Sequence, residues 1–450
     1  MRRELKINIL IKVICFVIFL TKISTPLAAQ NNIVTLEGSV RGGIFEPIKI
    51  ALPDFILGSG INYQFMSDIL TVLQNDLENT GLFKKIRQSA YLSKVSEFDA
   101  PIQFADWALI NASVLLTAEI ERTGPEDFDI KFRIWDVVSQ NKLGKGLQFS
   151  AKTSSWRRVA HKIADEIYSR VTGEGPYFDS KIVFVAESGP KNRRIKRIAL
   201  MDQDGANVRF LTDGKHIVLK PVFSPTADSI LYTSYKSGLP RVYKKDLRTN
   251  SETAFQSLPG MTFSPRFSPD GKNMLLSITD KMNTDIFKIS LRSGEKKRLT
   301  KDRAIDTAPS FSPDGKNIVF ESDRSSSQQL YVMSSDGGKM KRITFGKGRY
   351  GEPAWSPRGD LIAFTKLLDG YFHIGVIKPD GTGEKILTRS SKDQAPTWSP
   401  NGRVIMFYRE TLGSRGAPNI FMIDVTGANL RKMKTGSYFA SDPSWSALLN

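Results

Sequence analysis

The sequence is poor in the residues on which many catalytic and metal sites depend. Among 450 residues there is one cysteine, Cys15, and there are three histidines, His161, His216 and His373. A single cysteine excludes a disulfide framework and any cysteine-rich zinc or iron–sulfur site. The histidines have no metal-ligand spacing, and no G-x-S-x-G nucleophile elbow occurs. The composition therefore argues against a metalloenzyme and against a serine hydrolase.

Long apolar runs are also scarce, and the one that approaches membrane-spanning length lies at the N-terminus. Three basic residues within Met1–Lys6 precede the apolar stretch Ile7–Leu20, and the segment Thr21–Ala29 that follows ends in Pro-Leu-Ala-Ala. This pattern predicts a secretory signal peptide over residues 1–29. The alternative is a membrane anchor, but the run is short for a bilayer and contains Lys12. We expect cleavage near Ala29, which would leave an exported protein that lacks cysteine and does not span the membrane.

Residues 30–172 show no repeat and mix the periodicities of helices and strands. Pro47–Ile56 predicts a strand, and apolar residues within Met66–Leu77 recur at helical spacing. Ser113–Arg122 and Phe128–Val138 alternate like two strands joined by a turn. The segment is therefore predicted to form a small α+β domain.

A second amphipathic helix is predicted within Trp156–Val171. His161 falls outside the apolar face of this helix, so we expect it to be solvated. The turn-rich run Gly173–Pro176 is typical of a linker, which we place at residues 173–180. No catalytic constellation occurs in this domain, and the interpretation is an interaction or spacer domain.

The strongest signal is a repeat that begins near residue 181. The element P-x-[FW]-S-P starts at Pro221, Pro265, Pro309, Pro353 and Pro396, and a truncated copy starts at Pro443; the spacings are 44, 44, 44, 43 and 47 residues. Three further segments of strand character, separated by turn residues, follow the element in each unit. Four short antiparallel strands per unit of this length are typical of a β-propeller blade. The alternative is an open β-solenoid, which would need capping repeats.

The two ends of the repeat region complement each other. Lys181–Ser188 matches the second strand of a unit without a first strand, whereas Pro443–Ser446 matches a first strand alone. Together they would make one complete blade, and a ring closed in this way leaves no exposed edge strand. The sequence therefore predicts an α+β N-terminal domain followed, over residues 181–450, by an all-β six-bladed β-propeller closed by the N- and C-terminal strands of the repeat region.

This order of signal, small domain and six blades bearing P-x-[FW]-S-P-x-G resembles the TolB family of the bacterial Tol–Pal envelope system. The resemblance covers nearly the whole chain, although the first copy, Ser224–Asp228, lacks the glycine and the blade motif also occurs in some oligopeptidase propellers. It implies a non-enzymatic periplasmic scaffold without a cofactor. Its partners would be the peptidoglycan-associated lipoprotein Pal and TolA of the inner-membrane TolA/TolQ/TolR complex, and it would support outer-membrane integrity and outer-membrane invagination during cell division. The alternatives are the propeller domain of an exported hydrolase and a small-ligand-binding propeller.

The residues just before each P-x-[FW]-S-P element are expected at the mouth of the axial channel, because the first strand of a propeller blade lines that channel. Through the resemblance, this face would bind Pal. The candidate residues are Lys220, Met261, Thr262, Ser264, Asp306, Thr307, Ala308, Glu352, Asp393, Gln394, Ala395 and Asp442. Each of the four acids could instead have a structural role in a turn, but four acids around one ring favour a binding role. A channel calcium ion could use the same acids, although carboxylates from separate blades lie far apart.

The second candidate surface is the segment after the signal, Gln30–Ile44. It resembles the mobile segment that binds TolA in the family and communicates with the Pal face. The candidate residues of this arm are Ile33, Val34, Leu36, Gly38, Val40, Gly42 and Gly43. Its glycines permit alternative backbone conformations, so we expect an arm whose exposure changes when Pal binds. The alternative is an ordinary first strand with frayed ends.

The net charge of +18 is unevenly distributed along the chain. Residues 1–29, 30–175 and 176–450 carry +4, −2 and +16, so the excess belongs to the propeller, where it recurs near the outermost strands. Such a charge raises nucleic acid as a partner, but the export signal and the lack of an RNA-binding motif argue against it. A positive rim around a more acidic channel mouth indicates attraction to anionic envelope components.

Overall fold

The computed structural model describes residues 40–41, 44–255, 258–390, 392–413 and 416–449. The predicted signal peptide lies outside these residues. The described residues belong to one compact unit, which includes both the N-terminal domain and the propeller. Within the described ranges, no helix is both long enough and apolar enough to cross a bilayer.

The N-terminal domain is a mixed sheet with helices on both faces. Helices α1 (Tyr63–Asn79) and α3 (Trp156–Thr172) share one core with the sheet, and α2 (Phe104–Leu109) packs on the other face through Trp107. The strands are Ile48–Ala51, Ile56–Leu57, Phe83–Lys85, Val114–Arg122, Asp127–Asp136, Asn141–Lys142 and Leu147–Lys152. Ile48–Ala51 runs parallel to its neighbours Phe83–Lys85 and Val114–Arg122, and the latter is antiparallel to Asp127–Asp136. The strand predicted over Pro47–Ile56 is thus shorter in the structure.

The alternating pattern of Val114–Arg122 explains how helices come to cover both faces. Leu116 and Ile120 face α1 and α3, whereas Leu115 packs beside Trp107 on the opposite face. Side chains alternate across a strand, so a strand that is apolar on both sides needs cover on both sides. Helix α1 starts after Asn62, whose side chain accepts the Phe65 N–H at 2.8 Å, as expected of an N-cap.

The propeller consists of six four-stranded antiparallel sheets, with strands numbered 1 to 4 from the channel outwards. Blade 1 contains Phe439–Trp445, Lys181–Ser188, Ile195–Asp202 and Arg209–Phe210; blade 2 contains Val218–Phe223, Ser229–Ser234, Arg241–Asp246 and Glu252–Ala254; blade 3 contains Met261–Phe267, Asn273–Asp280, Asn283–Ser290 and Lys296–Arg298. Blade 4 contains Asp306–Phe311, Asn317–Ser322, Gln329–Ser334 and Lys341–Arg342; blade 5 contains Arg349–Trp355, Ile362–Leu368, Tyr371–Ile377 and Lys385–Ile386; blade 6 contains Asp393–Trp398, Val404–Glu410, Pro418–Asp424 and Arg431–Lys432. Short 3₁₀ segments lie at Gln88–Ala90, Thr153–Ser155 and Lys191–Arg193.

Blade 1 closes the ring. Its strand 1, Phe439–Trp445, pairs antiparallel with Lys181–Ser188, and Ile182 lies opposite Trp445. The predicted closure by the two ends of the repeat region is confirmed, and so is the six-bladed fold. The indole of Trp445 donates to Ser180 Oγ at 2.8 Å and packs edge-on against Tyr177, which fixes the closing strand to the chain that enters the propeller.

In blades 2 to 6 the segment that begins with Ser-Pro forms a tight turn between strands 1 and 2, and it reads Ser-Pro-Asp-Gly in blades 3 and 4. In blade 4, Ser312 Oγ donates to Asp314 at 2.6 Å and accepts the Asn317 N–H at 2.9 Å. Gly315 follows with φ of 71°, a conformation that glycine adopts without a Cβ penalty. The motif therefore encodes a turn, and it places all these turns on one end of the ring.

The antiparallel blades give the propeller two distinct ends. The end with the Ser-Pro turns and the strand 3–4 turns is called the turn face; the end with the strand 2–3 hairpins and the loops between blades is called the mouth face. The N-terminal domain packs on the turn face. Asn401 Nδ2 donates to Gly175 O at 2.7 Å, and Asn429 Nδ2 donates to Asn79 O at 2.8 Å. The mouth face therefore stays clear of the N-terminal domain.

Candidate functional site: the axial channel and the mouth face

Each of the six innermost strands contains a β-bulge immediately before the proline of its repeat element. The bulge residue has a left-handed backbone conformation although it is not glycine; the six residues are Lys220, Ser264, Ala308, Glu352, Ala395 and Asp442, with φ between 47° and 53°. The pairing of strand 1 with strand 2 shifts at this point in every blade. A left-handed backbone conformation at a non-glycine residue costs about 1 kcal/mol or more. Such conformations persist only where the surrounding structure fixes them.

The bulges bring these six residues to the wall of one channel cavity. The cavity has a volume of about 430 Å³ and is also lined by the prolines and aromatic residues of the P-x-[FW]-S-P elements. All six bulge positions were predicted to lie near the channel, and the structure brings them together there. Their chemistry differs from blade to blade, so the ring presents two acids, one lysine, one serine and two alanines.

An ion pair crosses the channel between opposite blades. Lys220 of blade 2 and Glu352 of blade 5 are joined by a distance of 2.8 Å between Nζ and Oε1. Glu352 also accepts the Thr365 hydroxyl at 3.0 Å and the Ala395 N–H at 2.9 Å. Burial disfavours the charged form of Glu352, but the charge of Lys220 and these donors outweigh burial and lower its pKa. The pair is therefore held in its ionised form.

A second cavity of about 400 Å³ lies beside the same ion pair. Lys220, Glu352 and Asp442 line both cavities, and the second is further lined by charged residues of blades 1 and 6, including Glu187, Arg194, Lys196 and Glu410. Burial raises the pKa of Asp442, and the nearby Glu352 adds to that effect although Lys220 opposes it. The Lys220–Glu352 pair thus stands between two polar spaces within the channel.

Two of the four predicted acids do not face the channel. Asp306 is fully buried and accepts both bonds from Arg324 Nη2 at 2.8 Å; Asp393 is fully buried and accepts Arg409 Nε and Nη2 at 2.6 and 2.9 Å. Arg409 lies in strand 2 of its blade and Arg324 follows strand 2 of its blade, so each pair ties strand 1 to the hairpin end of strand 2. Asp306 and Asp393 do not line the channel cavity because they lie two residues before the bulge residue, where each pairs with an arginine of its own blade.

The remaining predicted mouth residues are divided between blade contacts and the channel. Thr262 is buried and its hydroxyl accepts the Val242 N–H at 2.9 Å, whereas Thr307 donates to Glu321, a buried acid that also accepts the Glu352 N–H at 2.7 Å. Met261 and Gln394 are partly buried. The predicted acids do not converge into a metal-ligand cluster in the described part of the chain, where the one such group is His161, Asp202 and Asp204.

That group lies where the N-terminal domain contacts blade 1, and it is engaged by cations. Asp202 accepts Lys181 Nζ at 2.6 Å, and Asp204 pairs with Arg157. His161 is 2% exposed, and its Nδ1 lies 2.6 Å from Asp76 Oδ2. The prediction of a solvated His161 is wrong, because the position faces α1 and blade 1 rather than water. Its Nε2 has no hydrogen-bond partner among the described residues, so no serine completes a catalytic triad there.

The mouth face carries a set of exposed apolar side chains that the sequence analysis missed. They lie on the strand 2–3 hairpins, at the strand ends beside them and on the loops between blades: Ile195, Ile217, Tyr235, Leu239, Met282, Ile305, Phe345, Tyr371, Leu412 and Phe439. Met282 is 93% exposed, Phe345 71% and Leu412 64%. On the rest of the described propeller, the large apolar side chains with comparable exposure are Phe210, Ile386 and Leu430. The sequence does indicate this surface, because it has apolar residues at predicted hairpin turns, where polar residues are usual.

Comparison with known proteins follows the same division of the chain. Residues 168–449 match the family model described as the TolB beta propeller domain, and residues 37–143 match that described as the TolB amino-terminal domain. The Tol-Pal system protein TolB of Jannaschia sp. (strain CCS1) is 53% identical over 421 residues, which cover 93% of this chain and 94% of that protein. The chain belongs to the TolB family.

Other TolB proteins agree over shorter or more divergent matches. The Tol-Pal system protein TolB of Dinoroseobacter shibae is 54% identical over 224 residues, so this match spans about half the length of each chain. The crystal structure of TolB from Acinetobacter baumannii superimposes with a TM-score of 0.77 at 27% identity, covering 89% of this chain and 97% of that one. The TolB fold therefore extends through both domains.

Proposed function

We propose that this chain is a non-enzymatic periplasmic scaffold of the Tol–Pal system that binds Pal on its mouth face and communicates with TolA. In this role it would support outer-membrane integrity and outer-membrane invagination during cell division. The observation that carries the proposal is the mouth face itself, which combines exposed apolar side chains with a charged channel opening and is left clear by the N-terminal domain.

The chemistry of this face suits a folded protein partner. Contiguous exposed apolar patches on soluble proteins mark interaction sites, and binding energy concentrates in a few large apolar or aromatic anchors. Here the apolar side chains surround the opening whose wall includes Lys196, Glu187 and Glu410. These exposed apolar side chains of the mouth face, here called the apolar ring, would bury apolar surface against the partner. The paired charges at the centre would select the partner and set its orientation. Of the predicted acids, Glu352 and Asp442 are the ones placed to contribute.

The proposal for TolA rests on the N-terminal arm. Its residues Ile33, Val34, Leu36, Gly38, Gly42 and Gly43 lie outside the described residues. The described part of the arm, Val40–Arg41, pairs antiparallel with Ile44–Phe45. We propose that the segment before this short hairpin binds TolA and that binding of Pal changes its exposure.

The docking proposal is tested by aspartate substitutions on the mouth face, with an aspartate substitution elsewhere on the propeller as the control. Met282→Asp combined with Phe345→Asp places two carboxylates in the apolar ring of the mouth face, and Ile386→Asp is the control on the outermost strand of blade 5. We expect the double variant to weaken binding of purified Pal at least about 30-fold in calorimetry, because each lost apolar anchor contributes 1 kcal/mol or more. Ile386→Asp should bind as the unmodified chain does. Equal binding by the double variant and the unmodified chain would refute the docking face.

The arm is tested by deleting Gln30–Gly43. TolA capture should be lost while Pal binding persists, since the two partners would use different surfaces. Loss of both interactions, or of neither, contradicts the assignment of the arm.

A further inference from the structure

The channel cavity on the turn-face side of the Lys220–Glu352 pair has the dimensions of a small-molecule site. Its volume of about 430 Å³ falls within the range of ligand pockets, roughly 300–1,000 Å³. The prolines of the Ser-Pro turns form part of its wall, so it extends towards the turn face. It therefore lies away from the apolar ring through which we propose that Pal binds.

One residue breaks the chemical uniformity of this cavity. At the second position of the P-x-[FW]-S-P element, five blades have small or uncharged residues, and blade 3 has Arg266; the five are Val222, Ser310, Ala354, Thr397 and Ser444. All six positions line the cavity. A guanidinium at one position of an otherwise neutral ring is not needed for the repeat to fold, because five blades fold without it.

Arg266 has little protein to bind. Its Nη1 donates to the adjacent Pro265 O at 3.2 Å, and it forms no ion pair with a carboxylate of the described residues. A guanidinium carries five N–H donors in a fixed fork. Burial lowers the pKa of Arg266, although Glu352 and Asp442 oppose this effect from a distance. The cation is thus partly desolvated without a direct counter-charge, a state that an anionic ligand would relieve.

The carboxylates of the cavity wall are engaged elsewhere. Glu352 is neutralised by Lys220 and accepts two further hydrogen bonds. Asp442 Oδ2 accepts the Lys220 N–H at 3.4 Å, and burial favours its protonated form. An anion beside Arg266 would therefore meet one cation without a carboxylate partner, one ion pair, and Asp442, whose pKa is raised by burial.

Part of the remaining wall is apolar and rigid, and it lies beside the serines and threonine of the repeat elements. The indoles of Trp355 and Trp398 donate to the carbonyls of Gly359 at 3.2 Å and of Ala354 at 2.9 Å, which fixes both rings. Their donors are satisfied within the protein, so the rings offer apolar surface to the cavity. Such a wall suits the apolar body of a ligand whose polar group is held at one point.

We propose that this cavity binds a small molecule with one oxyanionic group, a carboxylate or a phosphate, which pairs with Arg266 while the aromatic wall covers its apolar body. The site draws on the turn-face half of the channel, and with the opening at which we propose that Pal binds it shares Lys220, Glu352 and Asp442.

The test uses the purified chain and four probes in ligand-observed NMR and calorimetry: benzoate, its neutral isostere benzamide, phenyl phosphate and inorganic phosphate. We expect benzoate or phenyl phosphate to bind at least about tenfold more tightly than benzamide, because a charge-assisted hydrogen bond is lost in the amide. The tighter of the two anions identifies the head group. Inorganic phosphate should bind more weakly than phenyl phosphate, because it lacks a body for the aromatic wall.

Variants connect this binding to the residue. Arg266→Gln should weaken the anionic probe at least about tenfold, and Arg266→Lys should retain part of the affinity. Arg292→Gln, on an exposed turn of the same blade, should have no effect. Affinity for benzamide equal to that for the tighter of the two aromatic anions, an unchanged affinity in Arg266→Gln, or no binding of any probe would overturn the proposal. The comparison of that anion with benzamide needs no variant, so it decides the matter even if Arg266→Gln fails to fold.

Discussion

Removing the carboxylate of Asp393 should destabilise the propeller, because this residue is part of a buried ion pair rather than of a binding surface. Asp393 is 0% exposed and holds Arg409 through two bonds of 2.6 and 2.9 Å. Deleting one partner of a buried pair costs about 3–5 kcal/mol, since the other charge is left without compensation. The side chain of Arg409 keeps 21% exposure, so we place the loss for Asp393→Ala near 3 kcal/mol.

The assay is urea unfolding followed by tryptophan fluorescence, with Asp336→Ala as the control. Asp336 pairs with Lys288 at 3.1 Å but is 71% exposed, so its loss should cost less than about 1 kcal/mol. Replacing both members, Asp393→Leu with Arg409→Leu, should recover much of the loss because no unpaired charge remains. If Asp393→Ala leaves the free energy of unfolding within 0.5 kcal/mol of the unmodified chain but weakens Pal binding, the structural role assigned here is refuted.

Two further predictions concern pH and backbone space. Burial disfavours a charged His161, but Asp76 outweighs burial and raises the pKa of His161 above 6.5. The contribution of this pair to stability should therefore be full below pH 6.5 and lost as the pH rises through the folded-state pKa. His161→Gln should remove this component from a plot of unfolding free energy against pH, and an unchanged plot would contradict the prediction. Gly205 has φ of 90°, and a Cβ there would lie 2.1 Å from Lys434 O, so Gly205→Ala should cost more than about 2 kcal/mol of stability. The control is Gly294→Ala, where φ is 72° and the space is open, and it should cost about 1 kcal/mol. Equal losses in thermal unfolding would refute the clash.

The repeat made the propeller predictable because its elements recur with side chains that fix each turn. The Ser312–Asp314–Gly315 turn and the pairing of Lys181–Ser188 with the C-terminal strand both follow from residues that are visible in the sequence. That the residues before each proline lie near the channel was also predictable, because the innermost strand of each blade contains them.

Which of those positions face the channel could not be read from the sequence. Asp306 and Glu352 both precede a proline of the repeat, but the bulge places only the residue adjacent to that proline, here Glu352, at the cavity wall. The Lys220–Glu352 contact joins residues 132 positions apart, and no local pattern reports it. His161 was misjudged for a related reason: its partners come from α1 and blade 1, and a single-helix pattern does not include them.

At the six bulges, the side chains that line the channel are separate from the strand pairing and turns that hold the ring together. Since Ala308, Ser264 and Glu352 occupy the same backbone conformation in different blades, that conformation accepts side chains of very different size and charge. Exchanging one of them alters the charge and width of the channel while the paired strands and Ser-Pro turns remain as they are. The interior of such a ring can therefore diverge one position at a time, except where two positions are paired across the channel as Lys220 and Glu352 are.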